Sequence, residues 1–286
     1  MKKYILSALL LIPALMLLAV FDDYQPSARA RGMGNAYTGV ANDASAIFYN
    51  PAGLTGAGYE LKFGYANLFN QKFTEYKTMA VTTSLPFKLG NLGLGTRMYD
   101  VDFEDTSLMS EQIWSLSHGF NLVKDIHSTI SFGYTANIYR LSFENEDSDT
   151  AVGFDVGGMA ILHQRTRFGF SVSNLNNPKM GDTNQNELPR RMAMGIAYVP
   201  YEGVTTSIEM KKDFAKETEF MGGVESRLFE SLSIRAGVHS NPATWSAGAS
   251  FYLSGISLDY SYTHHAVLDG THYLNLGYVF TKPNWR

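Results

Sequence analysis

From Leu61 onward the chain alternates between apolar and small polar residues with a period of two, the signature of strands with two chemically distinct faces. The clearest run sets Ile130, Phe132, Tyr134, Ala136 and Ile138 against Ser131, Gly133, Thr135 and Asn137. The same pattern recurs at Trp245–Leu253, at Ile256–Tyr262 and at Leu274–Phe280. Further runs start near Leu61, Met79, Leu92, Trp114, Val152, Phe168, Met192, Val204, Phe220 and Leu232. Together they predict about fourteen strands, an even number, most with an apolar face of about nine residues, enough for a tilted strand to cross a thin bilayer.

In a soluble sandwich the apolar face would point into a core; in a transmembrane barrel it points outward to lipid. The polar faces favour the second arrangement. They are rich in Gly, Ser and Thr and carry isolated charges of both signs, namely Lys62, Arg97, Asp155, Glu209, Glu225, Arg227, Arg235 and Asp259. Such residues suit a crowded lumen, where they can pair across the interior. The connections alternate in length. Longer ones are expected at Asp102–Glu111, Glu144–Thr150, Leu175–Arg190, Lys212–Thr218 and His264–Thr271, and shorter ones at Gln164–Arg165, Pro200–Gly203, Glu230 and Ser254. Outer-membrane barrels have long external loops and short periplasmic turns. The expected fold is therefore an all-β, antiparallel, closed barrel in the outer membrane of a Gram-negative bacterium, with lipid as its surroundings.

Before the first strand the pattern changes. Lys2 and Lys3 precede an apolar run that ends at Phe21, before Asp22 and Asp23. A basic front followed by an apolar stretch with no positive stop-transfer flank reads as a signal peptide, residues 1–21. Residues 22–58 show no alternation and are rich in small residues. Gly32 and Gly34 permit tight turns, Asn42 and Asp43 can cap a short helix over Ala44–Phe48, and Asn50-Pro51 breaks it. A barrel of this size has a lumen to fill, so this segment is expected inside it as a hatch. Arg29, Arg31 and Asp43 would then need lumen partners of opposite sign. The barrel is expected over 59–280 and a hydrophilic periplasmic tail over 281–286.

The stretch Gly32–Leu54, GMGNAYTGVANDASAIFYNPAGL, resembles the hatch signature of FadL-type transporters and of the PorV/PorQ family. The order Arg-Gly-Met-Gly, Asn-Asp-Ala-Ser-Ala, Asn-Pro-Ala-Gly-Leu carries the likeness. Membership implies a fourteen-stranded barrel with the hatch inside. A PorV/PorQ-type member would bind secretion-system proteins in type IX secretion, and on chain size and motif wording this is the leading expectation. A FadL-type member would pass long-chain fatty acids or other hydrophobic small molecules, the alternative. The external loops Glu144–Thr150 and Leu175–Arg190 are polar, without the large apolar surface of FadL-type ligand capture.

Composition removes other classes. The chain has 286 residues, 23 basic against 27 acidic and no cysteine. That leaves no basic stripe for nucleic acid, no thiolate metal site and no lipoprotein anchor. His264 and His265, with Asp269 and His272 near them, could suggest a metal, but adjacent residues on extended chain point apart. There is no nucleophile elbow, and Gly32-x-Gly34 lacks the strand and helix of a phosphate-binding loop. No catalytic residue, metal or cofactor is expected, and the chain is not read as an enzyme.

Overall fold

The computed structural model describes residues 21–104, 106–144, 146–181 and 186–280. The expected signal peptide, apart from Phe21, and the tail lie outside the described residues. The chain forms a closed antiparallel barrel of fourteen strands. In chain order these are β1 (Glu60–Asn67), β2 (Thr74–Ser84), β3 (Asn91–Phe103), β4 (Thr106–Lys124), β5 (Ser128–Phe143), β6 (Asp149–Leu162) and β7 (Thr166–Ser173). A two-stranded ladder follows, β8 (Lys179–Met180) with β9 (Asn186–Glu187). The barrel resumes with β10 (Arg191–Tyr198), β11 (Val204–Asp213), β12 (Thr218–Phe229), β13 (Leu232–His239), β14 (Thr244–Leu253), β15 (Ile256–Thr263) and β16 (Thr271–Val279). β7 pairs with β10 directly, and β1 closes on β16 from Glu60↔Val279 to Asn67↔His272. Closure gives every barrel strand a hydrogen-bonded neighbour on each side. The end where β1 starts and β16 finishes is the floor; the other end is the mouth.

The faces are inverted relative to a soluble protein. Ile130, Phe132, Tyr134 and Ile138 are 36–49% exposed, whereas Ser131, Thr135 and Asn137 are 0–2% exposed. An apolar outside and a polar, crowded inside is the arrangement a barrel takes when lipid is its solvent.

The ends correct two readings. Asp102–Glu111 is not a loop: β3 runs to Phe103 and β4 restarts at Thr106, with a bulge between Val101 and Asp102. Similarly β11 continues to Asp213, so the connection there is shorter than Lys212–Thr218. At the end of β11, Lys211, Lys212 and Asp213 are polar on both faces, so alternation fades while the backbone ladder continues; at the end of β3 the bulge shifts the register instead. At the mouth, β7 pairs with β6 only from Val156 downward. Above that point the Asn176 amide replaces a strand: Oδ1 accepts from Phe154 N (3.0 Å) and Nδ2 donates to Val152 O (2.9 Å).

Residues 21–58 lie within the barrel. Helix α1 (Ala28–Gly32) starts at Ser27, whose hydroxyl accepts from Ala30 N at 3.3 Å. A 3-10 turn over Ala44–Phe48 is capped by Asp43, which accepts from Ser45 N at 2.9 Å. A second, over Pro51–Gly56, is capped by Asn50. Its Oδ1 accepts from Ala52 N at 3.2 Å, while Nδ2 donates to Thr38 O (2.9 Å) and Gly158 O (3.1 Å). The amide thus fixes the Asn50-Pro51 bend and ties it to β6. Gly34 has φ +63°, and a Cβ there would meet the Val238 backbone, so both conformation and space call for glycine.

Candidate functional site: the hatch and its two cavities

The hatch is seated by glycines. A Cβ on Gly119 would lie 2.5 Å from Pro51 O, and one on Gly133 would be driven into Pro51 and Ala52. Gly169 faces the Thr38 carbonyl in the same way, and Gly223 and Gly237 face Met33 and Gly34. These positions alternate with outward apolar residues on their strands, so the wall is notched where the hatch backbone crosses it. Ile47 and Leu54 pack into the space over Gly93, within a buried cluster that includes Met33, Tyr37, Val40 and Met159.

Below α1, charged side chains form a closed ring. Lys62 Nζ lies 3.0 Å from Asp43 and 3.7 Å from Asp259. Asp43 faces Arg29 at 3.5 Å, Arg29 faces Glu225 at 2.9 Å, and Glu225 faces Arg235 at 2.5 Å. Arg235 donates to Ser250, which donates to Asp259 and so returns to Lys62. Glu60 joins Lys62 at 3.4 Å and accepts from Ala44 N. The ring binds hatch residues Arg29 and Asp43 to β1, β12, β13, β14 and β15. Burial alone would push the Asp43 carboxyl up, but Lys62 and then Arg29 outweigh it and hold it below the usual carboxylate range.

A second network holds the segment that precedes α1 near the mouth. Asp23 meets Lys211 at 2.5 Å, Lys211 meets Glu219 at 2.8 Å, and Glu219 meets His239 at 3.3 Å. Arg191 pairs with Asp213 at 3.1 Å and donates to Phe21 O. Phe21, at the expected signal boundary, sits edge-on to Tyr139 in an apolar cluster with Ile113, Leu141, Met180 and Leu188.

Of the other residues singled out from the sequence, Glu209 accepts from Thr38 N (2.6 Å) and Thr38 Oγ1 (2.8 Å). Asp155 accepts from Asn137 and from Asn174 N. Arg29 also donates to Asn42 at 2.7 Å. Two expectations need correction. Arg31 has no carboxylate partner among the described residues; it stacks on Tyr273, 4.7 Å from the ring centroid, and donates to Gln25 O. Arg227 keeps the lumen parity of Glu225, opposite buried Ser233, but lies exposed at the floor-side end of β12 and has no carboxylate partner among the described residues. Arg97 lies over the Phe48 ring at 5.3 Å rather than against an acid. Arg191, Lys211, Asp213 and Glu219 were not anticipated. Lys211 and Asp213 share the lumen parity of Glu209, a signal hidden by ending β11 too early.

The hatch separates two cavities. One of about 320 Å³ lies at the mouth, lined by residues including Asp23, Arg31, Arg191, Lys211 and His264. The other, about 420 Å³, lies at the floor beside the ring, lined by Arg29, Asp43, Lys62, Asp259, Tyr252 and Ser257. A further concavity of about 860 Å³ is lined by the outward residues Phe132, Phe168, Phe170 and Ile208 together with the inward residues Ser131, Met159, Glu209 and Met221.

No protein-family model matches the sequence, and no curated protein is detectably similar to it. The fold has clear likenesses. It superposes on the Pseudomonas putida toluene transporter TodX with a TM-score of 0.56 and 12% identity, covering 90% of this chain and 98% of that one. It superposes on a Pseudomonas aeruginosa FadL homologue with a TM-score of 0.58 and 11% identity, over the same shares. A TodX monoaromatic hydrocarbon channel mutant gives 0.58 and 10%. The chain has the fold of FadL-type outer-membrane channels. At these identities the likeness concerns the fold, and the ligands of those proteins remain theirs.

Proposed function

We propose that the chain is a hatch-gated conduit of the FadL-like outer-membrane superfamily, passing long-chain fatty acids or other hydrophobic small molecules. The observation that carries this reading is a hatch standing between two cavities, one at each end of the barrel. With the floor facing the periplasm, the mouth cavity receives the molecule and the floor cavity releases it. Arg31, which lines the mouth cavity and has no carboxylate partner among the described residues, suits an acidic head group, since a charge-assisted bond to a carboxylate is among the stronger polar contacts. The fold likeness to TodX and to the FadL homologue supports a conduit ahead of a secretion partner.

Cells that lack their own fatty-acid channel and express this chain are expected to accumulate a radiolabelled long-chain fatty acid above the vector control. Equal accumulation would count against the conduit. A PorV/PorQ-type role in protein secretion is the second reading, supported by the wording of the hatch motif and the modest loops. It predicts instead that secretion-system proteins co-purify with the barrel.

A further inference from the structure

Gly158 differs from the wall glycines that seat the hatch: it has the outward parity of Val152 and Phe154, and a Cβ on it would meet nothing within 4 Å. One row of cross-strand neighbours on that face runs Phe132, Gly158, Phe170, Met194, Met210 and Phe220. The row on its floor side begins Ile130, Ala160, Phe168 and continues through Ile196 to Ile208. The two rows line the concavity of about 860 Å³. Gly158 and Ala160 make the dip, standing between phenyl rings of the neighbouring strands. Behind the wall, Met159 belongs to the hatch cluster and Glu209 holds Thr38. The lumen side is therefore filled, and the concavity is a groove in the lipid face. Because barrel strands tilt, the rows climb from near the floor end of β5 to near the mouth end of β12.

Toward the mouth the same face ends in cations. Beyond Met194 and Met210 the next outward pair is Met192 opposite Lys212. Arg190 and Phe214 follow, joined by a bond from Phe214 N to Arg190 O at 3.2 Å. The Arg190 guanidinium lies 4.4 Å from the Phe214 ring centroid, and Lys212 Nζ donates to Lys216 O at 2.6 Å; among the described residues neither cation has a carboxylate partner. Their neighbours in sequence do. Arg191 and Lys211 face the lumen and pair with Asp213, Asp23 and Glu219. The rim thus carries two kinds of cation, neutralised inside and left open outside. Cations at a membrane surface attract anionic head groups. Arginine grips a phosphate with two donors and lysine adds a point charge.

We propose that this face binds a phosphorylated, multiply acylated glycolipid of the outer leaflet, with a phosphate between Arg190 and Lys212 and acyl chains in the groove over Met194, Phe170 and Gly158. Charge and shape meet in one place. The cations lie at the end of the barrel that faces outward when the floor faces the periplasm, and Met210 of the groove is two residues along β11 from Lys212. The rows cross six strands, roughly 24 Å at about 4.8 Å per strand spacing. That is wider than the two chains of a phospholipid need. The site requires the barrel to sit in the outer membrane but requires no permeant, so it stands apart from the conduit reading.

The test mixes the barrel, purified in detergent, with phosphorylated lipid A, with dephosphorylated lipid A or with phosphatidylglycerol, and counts bound lipid by native mass spectrometry. The unsubstituted protein is expected to retain phosphorylated lipid A several-fold above either other lipid. Arg190→Gln combined with Lys212→Gln should lower that retention to the level of the dephosphorylated form. Gly158→Phe fills open space in the groove and should lower retention of both forms of lipid A. Lys77→Gln, which removes an exposed cation near the mouth end of β2, is the control and should change nothing. Equal retention of the three lipids would overturn the site, because lipid would then merely surround the barrel. So would retention of lipid A unchanged in either the charge variant or the groove variant. Preferred retention of phosphatidylglycerol would overturn the glycolipid. A dimer of the chain in place of bound lipid, abolished by Gly158→Phe, would give the groove to a second copy and overturn the proposal as well. The three lipids are compared on one unsubstituted protein, so the result does not hang on any variant folding.

Discussion

The two flanks of the hatch show different ways to seat a plug in a barrel. The β4–β7 flank uses close packing: glycine notches receive the Pro51–Gly56 turn, and the Asn50 amide spans two neighbouring backbones. The opposite flank adds charge: Arg29 and Asp43 enter a ring of wall residues beside an open cavity. Packing is short-ranged and directionless, so it is lost all at once when an atom is misplaced. Ion pairs survive small displacements and can trade partners. Both flanks are packed, the second by Gly223 and Gly237 against Met33 and Gly34, so the hatch has one side held by packing with little charge and one held by packing and ions together.

The largest effect should come from breaking the packed flank. Gly133→Val would drive a branched side chain into Pro51 and Ala52. Overpacking of this kind costs about 1–3 kcal/mol where neighbours can shift, and backbone cannot shift far here. The barrel should still assemble, because Gly133 lies on a strand whose outward face is unchanged. The hatch should be expelled, giving a several-fold rise in single-channel conductance in planar bilayers. Deletion of Gly32–Leu54 sets the ceiling for that rise. Wild-type conductance in Gly133→Val would mean that the glycine notches do not hold the hatch.

How far the comparison was readable before the fold was known differs between its two sides. Strand number and facing came directly from alternation, as at Ile130–Ile138, because lipid outside and hatch inside impose opposite chemistry on neighbouring residues. The lumen glycines were visible as small residues, but their use is not, since a notch has meaning only once Pro51 is known to cross Gly133. Lys62, Glu225, Arg235 and Asp259 stood out on lumen faces. Their partners did not, because contacts such as Arg29 with Glu225 depend on barrel stagger and not on spacing in sequence. Arg31 was expected to find an acid and instead found Tyr273, a partner that charge patterning cannot indicate. Strand ends were the least readable part: where both faces are polar, as at Lys211–Asp213, the alternation vanishes although the ladder goes on.

A smaller effect is expected from the ionic flank. Arg29→Gln removes the hatch cation but strands no charge, since Glu225 keeps Arg235 and Asp43 keeps Lys62. The substitution should loosen α1 without expelling the hatch. Conductance should rise less than in Gly133→Val, with brief openings rather than a permanently open state. Adding Gly133→Val to Arg29→Gln should give no more than Gly133→Val alone, because an expelled hatch has no ring left to lose. A larger effect from Arg29→Gln than from Gly133→Val would mean that the ionic ring, and not the glycine notches, is the main hold on the hatch.

The smallest effect concerns pH, and its sign follows from Asp43. Its carboxyl faces Lys62 and Glu60 from β1 and Arg29 and Tyr37 from the hatch. Burial would raise its pKa, but Lys62 and Arg29 together lower it below the ordinary aspartate value of about 4. A group whose pKa is depressed in the latched state contributes fully above its unlatched pKa and loses that contribution as pH falls through the latched one. Asp23 near the mouth is depressed in the same sense: burial raises it, and Lys211 and Arg191 outweigh burial. The packed contacts of Pro51 and Ala52 with Gly119 and Gly133 contain no titratable side chain. Conductance should therefore stay flat from neutral pH down to roughly 4 and rise only below that, as the ionic flank alone lets go. Recording the same channel from pH 8 to pH 3 checks this. A rise centred near neutral pH would instead place the pH-sensitive contact away from Asp43, and the floor ring would not be the first bond to yield.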